Sequence, residues 1–245
     1  MYAAIRKPDI RDDPPELNPA LDRADLAGQF REHGRICIAD ILTRPSAERL
    51  HFCLQNEIRY KLCTNIGGTA RALDNLSAEE RHACSVAAWR EVGIGGFQFL
   101  FDTHLVSFAG EPYRESRHHL ANLVAFLNGP DFLGFAREIT GIDPIAFADA
   151  QATLYRSGHF LTAHDDDVPN TKRLVAYVFG FTPVWRPEWG GLLEFPGKDG
   201  RVDIAFQPGF NTLKLFRVPM SHYVSVVAPY AQALRYSITG WLRAQ

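Results

Sequence analysis

The sequence predicts a mainly β fold with supporting helices: a two-sheet jelly roll or barrel carrying an N-terminal helical layer. Three observations predict it. Near residue 140 the texture changes from helix-period apolar spacing to short runs of strand character. From Pro144 onward seven such runs crowd together between turn residues, the spacing of a closed or two-layered antiparallel sheet. No repeat, low-complexity tract or linker divides the 245 residues. One domain over 1–245 is therefore expected, with 1–140 as helix-rich support and 144–245 as the jelly-roll core.

The elements follow in order. Leu26 and Phe30 share the face of a short helix that Gly34 ends, and Arg35–Ile38 reads as a strand. Pro45 and Ser46 open a second helix with Leu50, Cys53 and Leu54 on one stripe. Ser77 with Glu80 forms a capping box for a third helix, which Gly93 terminates. Phe97–Phe101 alternates like a strand; Arg117–Leu127 and Asp131–Thr140 are helical, broken by Gly129-Pro130. The seven later runs are Ala150–Tyr155, Leu174–Phe181, Gly191–Phe195, Val202–Phe206, Thr212–Phe216, Val224–Val227 and Arg235–Leu242.

Composition narrows the function classes. The chain is 46% hydrophobic and 22% charged, ordinary globular values that argue against disorder. A net charge of −2 gives no basic footprint for nucleic acid. Cys37, Cys53, Cys63 and Cys84 include no C-x-x-C pair, so reduced structural thiols are expected rather than a disulfide or zinc framework. Met1 to Glu16 mixes charges with prolines and lacks an apolar core, so neither a signal peptide nor a membrane anchor is expected, and cytoplasm is the default location.

The chemistry lies in the strand-rich half. His164-Asp165-Asp166 sets an imidazole and a carboxylate two positions apart; in extended chain such residues point the same way, about 6–7 Å apart, and converge on one metal. His222 is the only later histidine and completes a two-histidine, one-carboxylate face. Such a face leaves coordination positions open, as non-haem Fe(II) oxygenases require. An H-x-D triplet alone carries little, and each of these residues has a bland reading as a satisfied or solvated side chain. Arg235, Ser237 and Thr239, alternating on a strand after His222, add weight. A guanidinium fork with a neighbouring hydroxyl matches the distal carboxylate of a dicarboxylic keto acid.

Other features weigh less. Asp102 and His104 form a reversed D-x-H pair expected to face the pocket, and His118-His119 is expected at a solvated helix start. His82 and Cys84 share a helix but diverge at i, i+2. Tyr177, Phe181, Trp185 and Trp189 could line a substrate groove, although aromatic residues beside a sheet are more often core. Arg186 and Arg217 could meet an acidic or carbonyl-rich substrate, against a plainer reading as solvated charge.

Six stretches in order carry a resemblance. They are Leu161 to Asp166, Arg173 to Tyr177, and Pro183-Val184-Trp185 leading to Gly190-Gly191-Leu192. Then come Pro208 to Leu213, Phe216-Arg217-Val218 leading to Ser221-His222, and Arg235 to Trp241. Together they cover most of residues 150 to 242, and the chain resembles the prolyl-hydroxylase branch of the 2-oxoglutarate/Fe(II) dioxygenase superfamily. Within it the chain is most similar to enzymes that hydroxylate a proline of a small-subunit ribosomal protein. The resemblance implies a double-stranded β-helix (jelly roll) with iron on His164, Asp166 and His222, and Arg235, assisted by Thr239, on the 5-carboxylate of 2-oxoglutarate. Fe(II), 2-oxoglutarate and O2 are the implied cofactors and cosubstrates, with ascorbate a further candidate. With Asp166 filling the carboxylate position, no site is left for a halide. Relatives commonly carry a cosubstrate tyrosine on the strand after H-x-D; here Gly180 stands there, Tyr177 is out of register, and Tyr155 is the candidate replacement. Some close relatives also carry a second, degenerate barrel, and this sequence stops at Gln245.

The implied substrate is a prolyl residue in a protein or peptide, with no role for nucleic acid or membrane. A free amino acid or other small metabolite is the enzyme alternative, and a non-catalytic jelly-roll binding module the third. Oligomeric state is not written in the sequence.

Overall fold

A computed structural model describes residues 13–245. Most of the N-terminal stretch read above as neither leader nor anchor therefore lies outside the described residues. Among the described residues, no helix is long and apolar enough to cross a membrane.

The elements in chain order are α1 (Arg23–His33), β1 (Arg35–Ala39), α2 (Arg44–Asn56), β2 (Lys61–Ile66), β3 (Thr69–Leu73), α3 (Ala78–Gly93) and β4 (Phe99–Ser107). After them come α4 (His119–Leu127), α5 (Pro130–Thr140), β5 (Phe147–Ala148), β6 (Ala150–Tyr155), β7 (Phe160–His164) and β8 (Arg173–Phe181). The remainder is β9 (Leu193–Pro196), β10 (Val202–Phe206), β11 (Phe210–Arg217), β12 (His222–Val224) and β13 (Arg235–Arg243).

The helices form where local signals put them. Asp22 caps α1 by accepting the Asp25 N–H, and Gly34 closes it in the left-handed region (φ +66°). Pro45 sits in the first turn of α2, where its missing N–H costs nothing. The Ser77–Glu80 capping box is formed in both directions. Pro130 opens α5 and Gly141 closes it.

All thirteen strands belong to one antiparallel sheet that curls on itself in the order β1-β11-β8-β13-β6-β4-β7-β12-β9-β10, with the β2–β3 hairpin on β4 and β5 on β13. Strand β4 turns the corner, pairing β6 at one end and β7 at the other. This nearly closed sheet is the expected jelly roll. Its larger half buries Val175, Tyr177, Phe179, Leu213 and Ile238 against α2, α4 and α5, which supply Leu50, Leu120, Phe132 and Phe135. Each such side chain, fully withdrawn from water, contributes about 1.5–3 kcal/mol. A second apolar layer lies between the two halves of the sheet: Phe99, Phe101, Val178, Leu193, Phe195, Phe216 and Val224. The helices thus clamp one face and leave the other for the site.

Four expectations are corrected. The N-terminal half holds more strand than expected, because β2 and β3 form a hairpin through Gly67-Gly68, both at positive φ (+60° and +80°). A Gly-Gly pair between two short strands fits a two-residue type I′ turn. Strand β4 runs past Phe101 through two polar residues whose needs are met. Asp102, fully buried, accepts from Arg81 Nη1 (2.8 Å) and Arg156 Nε (2.6 Å); His104 bonds the Arg59 carbonyl and the Tyr113 hydroxyl. Both point away from Phe99 and Phe101, so neither faces the pocket as expected. His119 is buried rather than solvated, while His118 caps α4 by accepting the Leu120 N–H. Finally, β12 begins at His222 instead of Val224, which places that histidine in the sheet.

Candidate active site

His164 ends β7, His222 begins β12, and the two are direct partners across this antiparallel pair. Opposed residues hold their Cβ atoms about 4.5–5.5 Å apart. The two imidazole centroids accordingly lie 4.2 Å from each other.

Asp166 arrives differently from the extended i, i+2 geometry expected. Strand β7 stops at His164, and Asp166 adopts φ +65°, a left-handed conformation that aspartate tolerates better than most residues. The turn swings its carboxylate back across both rings: Oδ1 lies 3.4 Å from His164 Nε2 and Oδ2 3.5 Å from His222 Nε2. Two neighbours hold the turn. Asp165 accepts the Asp167 N–H (3.0 Å), and Arg173 Nη1 donates to the Asp166 carbonyl (3.2 Å) while its guanidinium lies 3.6 Å above the Trp241 ring. One donor atom from each of His164, Asp166 and His222 falls within 4.8 Å of the others.

The tautomers suit a metal. His164 Nδ1 is 3.0 Å from the Thr162 carbonyl and His222 Nδ1 is 2.8 Å from the Met220 carbonyl. A carbonyl only accepts, so each Nδ1 carries the hydrogen and each Nε2 turns a lone pair to the common focus. Burial opposes charge on Asp166, yet the two facing imidazoles hold its carboxyl below the usual range. Burial likewise opposes charge on His164, which Asp166 overcomes to raise it; for His222, burial and the neighbouring His164 lower it. A carboxylate between two imidazoles, all three at least mostly buried, is a divalent-cation donor set.

Cys53, Glu57 and His118 also come within 4.8 Å of one another. Their groups are engaged elsewhere: both His118 ring nitrogens have partners, Glu57 pairs with Arg49 (3.0 Å), and burial raises the Cys53 thiol pKa.

The other expected residues share the first cavity. Arg235, Thr239 and Tyr155 line it together with His164, Asp166 and His222. Arg235 is 5% exposed, its guanidinium carbon 4.6 Å from the centre of the Tyr155 ring, and its Nη1 has no acceptor. Trp241 Nε1 and Thr153 Oγ1, in the same wall, are likewise buried without partners. Buried donors without acceptors cost free energy, so a cavity that gathers them beside a guanidinium with no carboxylate partner fits an oxygen-rich anionic ligand. The donor set and this wall together fit Fe(II) with a keto dicarboxylate.

Gly180 lies on the cavity side of β8, but a Cβ there would fall 2.5 Å from Thr212 Oγ1 and 2.6 Å from the Gly209 carbonyl oxygen. No tyrosine fits. Tyr177 is buried on the opposite, helix-packed side, donating to the Asp149 carbonyl (2.5 Å). Phe181, Trp185 and Trp189 are buried in the two cores rather than lining a groove. Arg186 is exposed beside Glu188, and Arg217 covers Phe30.

Reading the sequence missed Arg173, which steadies Asp166, and Phe97, half-exposed with its ring 5.7 Å from that of His164. It also missed Lys214, buried in a central strand. The last had a signal: a lysine between Leu213 and Leu215 in a strand paired on both sides.

By sequence, residues 150–243 match the 2OG-Fe(II) oxygenase superfamily. No curated protein sequence matches the chain. By fold, the chain is similar to a Trichoplax adhaerens prolyl hydroxylase in complex with a hypoxia inducible factor oxygen degradation domain peptide fragment (TM-score 0.60, 16% identity, 91% of this chain and 89% of that one). A Burkholderia pseudomallei oxidoreductase of the 2OG-Fe(II) oxygenase family is similar over 92% of both chains (TM-score 0.58, 16% identity). A Pseudomonas putida prolyl-4-hydroxylase matches over 91% of this chain and 99% of its own (TM-score 0.52, 18% identity). The superfamily matched over residues 150–243 is one of oxygenases that use Fe(II), 2-oxoglutarate and O2, the set that this donor cluster and cavity fit.

Proposed function

We propose that the protein is a dioxygenase that hydroxylates a C–H bond of a prolyl residue in a protein or peptide and releases succinate and CO2. His164, Asp166 and His222 would hold the iron, and Arg235, with Thr239 and Tyr155, the far end of 2-oxoglutarate. The observation that supports this most is Arg235: a buried guanidinium with no carboxylate partner among the described residues, in the cavity that also holds the two histidines and Asp166. Iron and keto acid, when bound, supply the oxidising chemistry. The chain's own part is to present two Nε2 lone pairs and a carboxylate, to fix the cosubstrate by its distal end, and to keep water out with Phe101, Leu193, Phe216 and Val224.

A polypeptide substrate is supported by the surroundings of His164. Beside it, Phe97 opens onto a groove between the β2–β3 hairpin and α3, lined by Asn65, Ile66, Gly68, Ala87 and Glu91. Such a groove receives chain on either side of a reacting residue, which a free amino acid leaves unused. The fold neighbour from Trichoplax adhaerens is itself a peptide complex. Within this class the sequence resemblance points to a ribosomal-protein proline.

The test is succinate formation from 2-oxoglutarate with Fe(II), with and without proline-containing peptides. Peptide stimulation that free proline does not give, lost in His164→Ala, is the expected result. Stimulation by small metabolites alone would move the assignment to a metabolite hydroxylase. No iron-dependent turnover under any condition would leave a binding module.

A further inference from the structure

Lys214 is 3% exposed, near the middle of β11. Its Cα neighbours across the sheet are Cys37 on β1 and Val178 on β8. Directly opposed residues share a face, and Val178 lines the cavity, so Lys214 projects to the cavity side between Thr212 and Phe216. Phe216 packs on the His222 ring at 4.5 Å between centroids.

The ammonium has one hydrogen-bond partner, the Thr212 hydroxyl at 2.9 Å, and no ion pair with any carboxylate among the described residues. Its Nζ lies beside Gly180, whose partner across β13 is Ser237, two positions along the same face from Arg235, which also lacks a carboxylate. Two buried cations on one face of the sheet, neither with a carboxylate, are costly, and an anion reaching both would offset that cost. Burial holds the Lys214 pKa down, to about 8, with the Cys37 thiol opposing the shift and Arg235 adding to it.

Gly180 explains why the lysine is there. A Cβ at 180 would lie 3.3 Å from Lys214 Nζ and closer still to Thr212 and Gly209, so lysine and threonine fill the place a side chain at 180 would take. The sequence resemblance implies a cosubstrate tyrosine at that place. Building on the function proposed above, we infer that Lys214, presented through Thr212, is a second cation of the cosubstrate pocket. It acts with Arg235 on the distal carboxylate of a 2-oxo dicarboxylate and substitutes for the missing tyrosine hydroxyl. It is a specificity-determining residue, selecting keto acids that end in a carboxylate.

The test is calorimetric binding of 2-oxoglutarate and of 2-oxopentanoate, which carries methyl in place of the distal carboxylate, to Mn(II)-supplemented protein, where no turnover complicates the reading. Wild type is expected to prefer 2-oxoglutarate strongly. Lys214→Met should weaken 2-oxoglutarate about tenfold, leave 2-oxopentanoate within about twofold, and melt unliganded no lower than wild type, since an unpaired buried charge has been removed. If Lys214→Met does not fold, Lys214→Gln carries the same comparison. A variant that discriminates the two acids as well as wild type does, or weakens both equally, overturns the role of Lys214 while leaving the cosubstrate pocket standing. Wild type binding the two acids equally would overturn the pocket reading itself, and Lys214 with it.

Discussion

Replacing Arg235 with methionine separates a ligand-binding guanidinium from a structural one. The side chain is 5% exposed, has an orphaned Nη1 and contacts the Tyr155 ring at 4.6 Å. Losing that cation–π contact costs about 1–2 kcal/mol. Replacing a buried charge that has no counter-ion by an apolar side chain of similar volume removes its desolvation penalty and offsets that loss. Arg235→Met should therefore unfold in urea at the wild-type midpoint or above it. Binding moves the other way. A cosubstrate carboxylate left buried without its guanidinium loses about 3–5 kcal/mol, so the KM for 2-oxoglutarate should rise by about 10²–10⁴-fold. Succinate release measured against 2-oxoglutarate concentration, with parallel urea titrations, reads both numbers. A variant that is clearly less stable yet keeps its KM would show the guanidinium to be a strut, and the reasoning would fail.

Other outcomes follow from the same geometry. Because His164 and His222 sit opposite each other on adjacent strands, Mn(II) should raise the thermal midpoint of the wild type and leave that of His222→Ala unmoved, as differential scanning fluorimetry would show. Gly240→Ala should be hard to fold, at a cost of about 3 kcal/mol or more by chemical denaturation, because the added Cβ would lie 1.9 Å from the Asp149 carbonyl oxygen. His159 gives an acid sensitivity outside the metal site. Burial holds its imidazole down to about 4 against an unfolded value of 6.5, so below 6.5 the unfolded chain takes up a proton that the folded chain refuses. Stability should fall by up to about 3 kcal/mol as pH drops through that window, and His159→Gln should flatten that limb in urea titrations run at several pH values.

Where local chemistry decides structure, the sequence was readable. The caps of α1, α3 and α5, the run of late strands and the identity of the three candidate metal donors all follow from turn residues, periodicity and ligand type. What could not be read depends on partners distant in the chain. Strand β4 continues through Asp102 only because Arg81 and Arg156, 21 and 54 positions away, neutralise it. Asp166 converges by a left-handed turn rather than by strand alternation, because Arg173 and Asp165 hold that turn; the three side chains meet, but not through the local geometry expected of them. Lys214, set between Leu213 and Leu215, carries a sign of burial in the sequence, but only the register places it opposite Val178.

Strand β1 comes from the start of the chain and pairs along β11, just as β4 pairs along β6. The segment that matches the superfamily, 150–243, thus leaves out strands that its own sheet pairs with. Excised at residue 150, it would be left with β11 and β6 as raw margins and with Val175, Tyr177 and Phe179 facing water where α2, α4 and α5 had been. Such a fragment should aggregate rather than bind metal, and attempts to trim this protein to its recognisable part should stop short of β1.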